Sequence, residues 1–506
     1  MAARGSSAKG HKHHKHPHKH PHKHPHKHPA KHPQKHPPTH FGYQPASYDQ
    51  TPLPTVRERH LLSRMGTGFS PAAYAELRAA GGELAWFEQQ LDPQSVPESD
   101  VALALPGWFP RLQDSAVQIK ANDATHVYRA WDYARELANY TLLRRIYSRR
   151  SVLESMVDFW SNHLHIFARH FPAFTQRVAY DGMIRDLALG TYEELLLTAS
   201  LHPAMLLFLD NWKSVRNAPN ENQGRELLEL HTVGRENYTE PMVTDSARLL
   251  SGWTVRTNDW SAYYDPARHT TGPVSLLGFS EPNTTNDPEL AKRYLRFLAH
   301  HPDTARQIAT KLALRFVSDT PSAALVDSVA KTYLDSGTDI KATLRALVGS
   351  DEFWASADQK VRTPSDDTVA TCRVLGMNVV APAGPGPYAS GLVDTLNSVP
   401  VYQWPRPDGP PDVASAWATT TRMLNSFRMH WAMAGGSSLT GCFSYRSVAD
   451  FVPDAVLHEG LPFRLLVDHL SRTLLGRVST SRLLHAACVG CDIEPDELIT
   501  ASHALV

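Results

Sequence analysis

Apolar residues recur every three to four positions along most of the chain beyond residue 58, which is the spacing of helices that bury one face. The stretch FSPAAYAELRAAGG (69–82) has complete helix boundaries, with Ser70 as N-cap, Pro71 at the first position and two closing glycines. Strand-like runs are scarce, and only VSLLGF (274–279) and MNVVAP (377–382) are predicted to form short strands. The same apolar spacing predicts further helices at about 128–147, 150–170, 181–199, 203–212, 222–233, 241–251, 288–299, 302–317, 321–335, 339–349 and 414–434.

These elements predict a mainly α fold with long Pro/Gly-rich loops near residues 255–285 and 380–412. Loops of that length are usually either functional or disordered. We expect a single large multi-helix domain at residues 59–506, which is preceded by a linker at 41–58 and a disordered tail rich in His, Lys and Pro at 1–40.

The tail repeats a four-residue unit that ends in Lys-His-Pro, reading HKHPHKHPHKHPHKHPAKHPQKHP over residues 14–37. A proline at every fourth position blocks helix and sheet, so a disordered, partly polyproline II-like segment is predicted. Neutral imidazole binds Zn²⁺, Ni²⁺ and Cu²⁺, whereas protonated imidazole favours anionic surfaces such as a cell envelope. A solvated low-complexity segment without either role is a third interpretation. The candidate metal ligands of the repeat are His14, His16, His18, His20, His22, His24, His26 and His28.

Charge separates the tail from the rest of the chain. Residues 1–48 contain nine Lys/Arg and no acid, which leaves 42 Lys/Arg against 51 Asp/Glu and a net charge of −9 in the remainder. An acidic body argues against a nucleic-acid-binding domain.

No apolar run is long enough to span a bilayer, and no secretory h-region is visible. The sequence also lacks a Gly-rich phosphate loop, an HExxH motif and a GxSxG motif.

The stretch NENQGRELLELHTVG (220–234) concentrates polar groups on a short helix. Glu226 and Glu229 lie one turn apart on one face, and His231 lies opposite them on a regular helix. A buried carboxylate needs a metal, an arginine or a substrate as partner. An ion pair between Arg225 and Glu229 at i,i+4 spacing is the structural alternative. The candidate catalytic residues of this stretch are Asn220, Glu221, Asn222, Glu226 and Glu229.

The stretch SMVDFWSNHLHIFARH (155–170) places His163 on the apolar face of its predicted helix and His165 on the polar face. His163 is therefore the better candidate for a site beneath the helix, and His165 is expected at the surface. In the 255–285 loop, His269 can complete a pocket or merely bond its own backbone. The candidate ligands for a divalent Zn, Mn or Fe ion in the body are His163, Glu226, His231 and His269.

Two functions remain open at this point. One is an enzyme with a buried Glu/His pocket, in which a metal activates water for hydrolysis of an unknown substrate, or in which a glutamate of raised pKa acts as general base. The other is a non-catalytic envelope or scaffold protein, or a metal-binding protein that acts through its tail.

Ordered motifs also resemble a bacterial family catalogued as domain of unknown function 1800. They include HLLSRMGTGFSP, VDFWSNHL, NENQGRELLELHTVGRENYTE, ARLLSGWTV, KVRTP and WPRPDGPPDVASAW, and the resemblance runs from about His60 to the end of the chain. It implies a mostly helical, exported protein of unassigned activity. Where the family has a His-Asp pair, this chain has His269 and Thr270. The motifs implicate His163, Asn220, Glu221, Asn222, Glu226, Glu229, His231, Gly252 and Trp253.

Overall fold

Helices dominate the computed structural model, which describes residues 42–381, 401–435, 443–446 and 448–501. The predicted tail at 1–40 and Pro382 of the second predicted strand lie outside these residues. Apart from Gly42, the described residues belong to one compact unit at 43–506. Within them, no helix is long and apolar enough to cross a membrane.

The described helices are α1 Val56–Arg64, α2 Pro71–Ala79, α3 Glu83–Gln90, α4 Asp100–Trp108, α5 Ala116–Ala124, α6 Ala130–Tyr147, α7 Ser151–His163, α8 Arg177–Leu187, α9 Tyr192–Leu201, α10 Pro203–Phe208, α11 Asn222–Glu226, α12 Glu240–Leu250, α13 Pro288–Ala299, α14 Pro302–Phe316, α15 Ala323–Asp335, α16 Ile340–Val348, α17 Asp351–Ala355, α18 Pro364–Val374, α19 Ala414–Trp417, α20 Thr420–Ala434, α21 Asp454–His458, α22 Phe463–Leu475 and α23 Ser481–Cys491. A π-helical turn, Leu227–His231, directly continues α11. The mainly α prediction is confirmed.

The strands form four separate antiparallel pairs rather than an extended sheet. The predicted strand 274–279 is in fact a hairpin, because Leu277 and Gly278 adopt positive φ and reverse the chain between β3 and β4. The strands are β1 Trp253–Val255 with β2 Ala262–Tyr264, β3 Val274–Leu276 with β4 Phe279–Glu281, β5 Asn378–Val379 with β6 Phe443–Ser444, and β7 Leu461–Pro462 with β8 Leu498–Ile499.

Several helices begin where the sequence predicts. Ser70 caps α2 by accepting a hydrogen bond from the backbone N–H of Ala73, and Pro71 occupies the first position. The predicted helix at 181–199 is two helices, α8 and α9, because the chain turns at Gly190 and restarts at the N-cap Thr191. Within the predicted linker at 41–58, residues 43–51 pack on the C-terminal helices, where the backbone N–H of Tyr48 donates to Asp468 at 2.7 Å. The last residues of the predicted linker begin α1.

The largest apolar core lies between α7, α9, the π-helical turn and α14, so it fixes these four elements against one another. Helix α11 approaches α12 closely, since a Cβ on Gly224 would lie 2.9 Å from the backbone nitrogen of Ala247. Two smaller cores lie under α6 with α18 and under α22 with α23. Central members of the largest core are Trp160, Tyr192, Leu195, Leu227, Leu228, Ile308, Leu312 and Phe316.

Candidate active site

His163 ends α7 inside the largest core, as its position on the apolar face predicts. Its Nδ1 lies 3.0 Å from Nζ of Lys311, and its Nε2 lies 2.9 Å from the hydroxyl of Tyr192. Burial, then the charge of Lys311, lowers the pKa of His163 well below its usual value, so the ring is neutral. Because a protonated Lys311 can only donate, Nδ1 accepts and the ring hydrogen sits on Nε2.

Lys311 lies on α14 and is the residue that links His163 to the end of the 220–234 stretch. Its Nζ donates to His163 and also to the carbonyl oxygen of Leu230 at 3.1 Å, and the residue as a whole is of intermediate exposure. Burial lowers the pKa of Lys311 to about 8, against the opposing effects of Asp412 and Asp408. A lysine with this pKa is partly neutral at neutral and mildly alkaline pH.

The 220–234 stretch is not the regular helix that was predicted over 222–233. It widens into the π-helical turn at Leu227, where the hydroxyl of Thr232 donates to the Leu227 carbonyl at 2.7 Å. The carbonyl oxygen of Leu230 is then bound by Lys311, and that of His231 by Tyr192. Such widened turns occur frequently at functional sites.

His231 is buried within this turn. Its Nε2 has no hydrogen-bond partner among the described residues, and its ring centroid lies 6.2 Å from that of His163. Burial, followed by the charge of Lys311, lowers the pKa of His231 to about 3, so it is also neutral. Two neutral imidazoles therefore flank the amine of Lys311.

Glu226 is partly exposed and makes no hydrogen bond or ion pair with the described part of the chain. Burial, followed by the charge of Glu229, raises the pKa of Glu226. Asp408 raises the pKa of both Glu226 and Lys311, so the two groups share one charged neighbour. Perturbed pKa values of this kind cluster at functional sites.

Glu229 differs from Glu226 because it is paired. Arg235 donates to it through Nε at 2.7 Å and Tyr238 through its hydroxyl at 2.6 Å. Although burial raises the pKa of Glu229, these two hydrogen bonds hold it below its usual value. The alternative pair between Arg225 and Glu229 is wrong, since Arg225 binds Glu240 with two hydrogen bonds of 2.6 and 2.7 Å.

The Asn-Glu-Asn turn shapes the start of α11. The side chain of Asn220 accepts from the backbone N–H of Asn222 at 2.9 Å, and Glu221 accepts from the hydroxyl of Thr244 at 2.8 Å. These hydrogen bonds are local or go to α12, and the structure supplies no contact between the three residues and Lys311 or His163.

His269 belongs to a separate buried network. Its Nε2 lies 2.8 Å from the side-chain oxygen of Asn283, and its Nδ1 lies 2.9 Å from the carbonyl oxygen of Ser251. Of the described residues, no three His, Cys, Asp or Glu side chains are grouped so that they could hold a metal ion. The predicted body ligands His163, Glu226, His231 and His269 form no such group in the described part of the chain.

His165 was expected at the surface, and that expectation is wrong. Helix α7 ends at His163 instead of continuing to residue 170, so the helical periodicity no longer applies at His165. The side chain is only 1% exposed, and its Nε2 lies 2.8 Å from the carbonyl oxygen of Trp404. Burial lowers its pKa to about 4.

Trp404 belongs to the WPRPDGPPD segment (404–412), which covers α7. A Cβ on Gly409 would clash with the carbonyl oxygen of Asn162, and the positive φ of Gly409 also favours glycine. This close approach brings Asp408 and Asp412 towards Lys311. The segment and α18 also border a cavity of about 50 Å³, and Asp158 and Trp417 form part of its lining.

Asp412 also joins a buried ion network that the sequence did not reveal. Arg315, one turn beyond Lys311 on α14, donates to Asp158 at 3.0 Å, to Asp366 at 2.9 and 3.1 Å and to Asp412 at 3.1 Å. Arg145 donates to Asp366 at 2.6 Å and is also buried. The network ties α6, α7, α14 and α18 to the covering segment.

Lys311 and Tyr192 are the two residues of this site that sequence reasoning missed. One pattern could have identified Lys311: on a regular helix, Lys311 and Arg315 lie one turn apart beside the buried stripe of Ile308 and Leu312. Cations on an apolar stripe need buried partners. Tyr192 carried no comparable pattern.

The comparisons with known proteins identify a family and no individual relative. No curated protein and no solved structure matches this chain significantly. The sequence profile of a family described as "Protein of unknown function (DUF1800)" matches residues 60–496, which is most of the chain. The chain therefore belongs to the DUF1800 family, as its motifs suggested.

Proposed function

We propose that the protein is a hydrolase-like enzyme in which Lys311 acts as the general base. The arrangement of Lys311 carries the proposal: on a residue of intermediate exposure, the amine is held by His163 and the Leu230 carbonyl, and its pKa is lowered to about 8. A base transfers protons best when its pKa lies near the working pH, and shifts of this kind cluster at functional sites.

The two hydrogen bonds of Lys311 also orient its reactive electron pair. A neutral amine retains two N–H bonds, so both acceptors remain satisfied after Lys311 loses a proton. The lone pair then takes the remaining tetrahedral position. In the proposed reaction it accepts a proton from water while the water oxygen attacks the acyl carbon or phosphorus of a substrate.

Lys311 also supplies the proton that the leaving group needs. After it has accepted a proton from water, its ammonium group donates to the leaving group as the bond to the acyl carbon or phosphorus breaks. The proton taken from water therefore leaves with the product, and the neutral amine is restored. Glu226, which has a raised pKa and no partner among the described residues, lies one turn before Leu230 and is placed in this proposal to orient the attacking water.

The experiment is a screen of wild-type protein against chromogenic carboxylic esters, amides and phosphate esters, with the Lys311→Met variant measured in parallel. We expect turnover of at least one class, with kcat/KM rising with pH to a plateau and a midpoint of about 8. The sign follows from the role, because only the deprotonated amine is a base. Failure of the wild type on all three classes, or equal turnover by the variant, would contradict the proposal.

A non-catalytic scaffold is the second candidate, and one observation favours it. The hydrogen bonds from Lys311 and Tyr192 satisfy carbonyl groups at the end of a buried helix, which otherwise lack partners, and a cation there is also favoured by the helix dipole. On this account Lys311→Met lowers stability only, and no substrate of the screen is turned over.

We further infer that the tail binds divalent metal independently of the body. Thirteen of the chain's 28 histidines lie between His11 and His40, and imidazole binds Zn²⁺, Ni²⁺ and Cu²⁺. Deletion of residues 1–40 should abolish Ni²⁺ and Zn²⁺ uptake, measured by equilibrium dialysis and elemental mass spectrometry, and leave the circular dichroism of the body unchanged. Uptake that survives the deletion would place the metal site in the body instead.

A further inference from the structure

A second, larger cavity of about 540 Å³ lies away from Lys311, between α1, α18, α20 and the end of α22. Its volume falls within the usual range for small-molecule sites. The apolar part of its wall is formed mainly by Phe69, Val374, Leu474 and Leu475. The wall also carries charged residues: its Lys and Arg residues are Arg59, Arg64, Lys360, Arg362 and Arg477, and its acids are Asp358 and Asp367.

The two acids of this cavity are already paired. Arg59 binds Asp358 with two hydrogen bonds of 2.5 and 2.8 Å. Asp367 accepts from Arg422 at 2.9 Å and lies 3.2 Å from Nε2 of His430. Both carboxylates therefore accept their hydrogen bonds from residues other than Arg64, Arg362 and Arg477.

Of the five cations, Lys360 is paired as well as Arg59, since it donates to Asp319 at 2.5 Å. Three arginines remain, and Arg64, Arg362 and Arg477 make no hydrogen bond or ion pair with any residue that the structure describes. The Nε of Arg64 is fully buried without a partner, although the rest of the side chain reaches the cavity. Burial, followed by the charge of Arg362, lowers the pKa of Arg64 to about 10, which still leaves it charged at neutral pH.

The guanidinium of Arg64 is partly buried and unpaired, which is costly, whereas Arg362 and Arg477 are exposed. An oxyanion in the cavity offsets the cost at Arg64 by accepting charge-assisted hydrogen bonds from it, and Arg362 can donate to the same anion. Arg64 and Arg362 also line a smaller cavity of about 30 Å³, where Ser63 and Thr67 add hydroxyl groups. Asp366 and Asp412 line it as well, but both are paired with Arg315. We propose that this cavity binds a small amphipathic organic anion, whose phosphate or carboxylate group is held by Arg64 and Arg362 and whose apolar body rests on Phe69 and Leu474. This site does not depend on the proposed hydrolysis.

Isothermal titration calorimetry with four probes tests the proposal on the full chain. Phenyl phosphate and benzoate combine an oxyanion with an apolar body, inorganic phosphate has only the charge, and phenol has only the body. We expect at least one of the first two to bind with a Kd below about 1 mM, and inorganic phosphate and phenol to bind at least about tenfold more weakly. The stronger of the first two identifies the preferred oxyanion. No binding of either would overturn the proposal.

Variants localise the binding. Arg64→Met and Arg362→Met should each weaken binding of the better probe at least about tenfold, whereas Arg428→Met, an exposed residue of α20 outside the cavity wall, should leave it unchanged. Removal of the unpaired Arg64 charge should not lower the Tm of the ligand-free protein. An equal loss in Arg428→Met, or unchanged binding in both cavity variants, would overturn the assignment.

Discussion

Turnover by the Lys311→Met variant should be about 10²- to 10⁴-fold lower than that of the wild type on any ester, amide or phosphate ester that the wild type hydrolyses, because methionine cannot accept a proton. Lys311→Arg should lose a similar factor. Arginine preserves the positive charge and can still donate to His163 and Leu230, but it does not deprotonate in this pH range. The Lys311→Arg variant thereby distinguishes two roles of Lys311, a base and a cation that only positions other groups. Activity that depends on positioning alone would survive this substitution.

Stability must be measured beside turnover in these variants. Lys311→Met leaves His163 Nδ1 and the Leu230 carbonyl without their donor, which costs about 1–3 kcal/mol for each buried group that stays unpaired. The matched control is Lys331→Met, which alters an exposed lysine on α15 and should change neither turnover nor unfolding. Full activity in a folded Lys311→Met variant would exclude the proposed base.

The Arg315→Met variant should lose about 3–5 kcal/mol of unfolding free energy, the usual cost of removing one partner from a buried ion pair. Arg315 is nearly buried and contacts three carboxylates. Without it, two of them still have Arg145 as a partner, and the third loses its side-chain ion pair in the described part of the chain. The three carboxylates belong to Asp158, Asp366 and Asp412. The denaturant midpoint should fall with little change in the slope of the transition.

Two comparisons establish the cause of that loss. Arg306 lies on α14, as Arg315 does, and forms an exposed ion pair with Asp327 of α15. Arg306→Met removes this pair and should change the unfolding free energy by less than about 0.5 kcal/mol. Adding Asp412→Asn to Arg315→Met removes one uncompensated charge and should recover part of the loss. An Arg315→Met variant as stable as Arg306→Met would show that the network contributes nothing measurable.

Helix periodicity predicted most of the fold because most of the helices bury one face. The Ser70 cap, the scarcity of strands and the burial of His163 all followed from local pattern. The errors occurred where tertiary contacts override that pattern. Helix α7 stops at His163 since the covering segment binds the next turn, so the predicted polar face at His165 does not exist.

The candidate site was only half predictable for a similar reason. The sequence drew attention to His163, Glu226 and the 220–234 stretch, but a regular helix was assumed and the π-helical turn was not anticipated. Lys311 lies 148 positions from His163, and a single sequence carries no information about such a pairing. The sequence also could not show that His163 and His269 are bound by a lysine, a tyrosine, an asparagine and backbone groups.

The most direct test of the account is the titration of Lys311 itself. The protein is labelled with trace acetic anhydride between pH 6 and 11, digested, and the Lys311 peptide is quantified by mass spectrometry against a free lysine peptide labelled in the same mixture. The account predicts a labelling midpoint of about 8 for Lys311, compared with the reference of about 10.4. A midpoint at the reference value, or no labelling at any pH, would contradict the proposal that Lys311 is a reachable base.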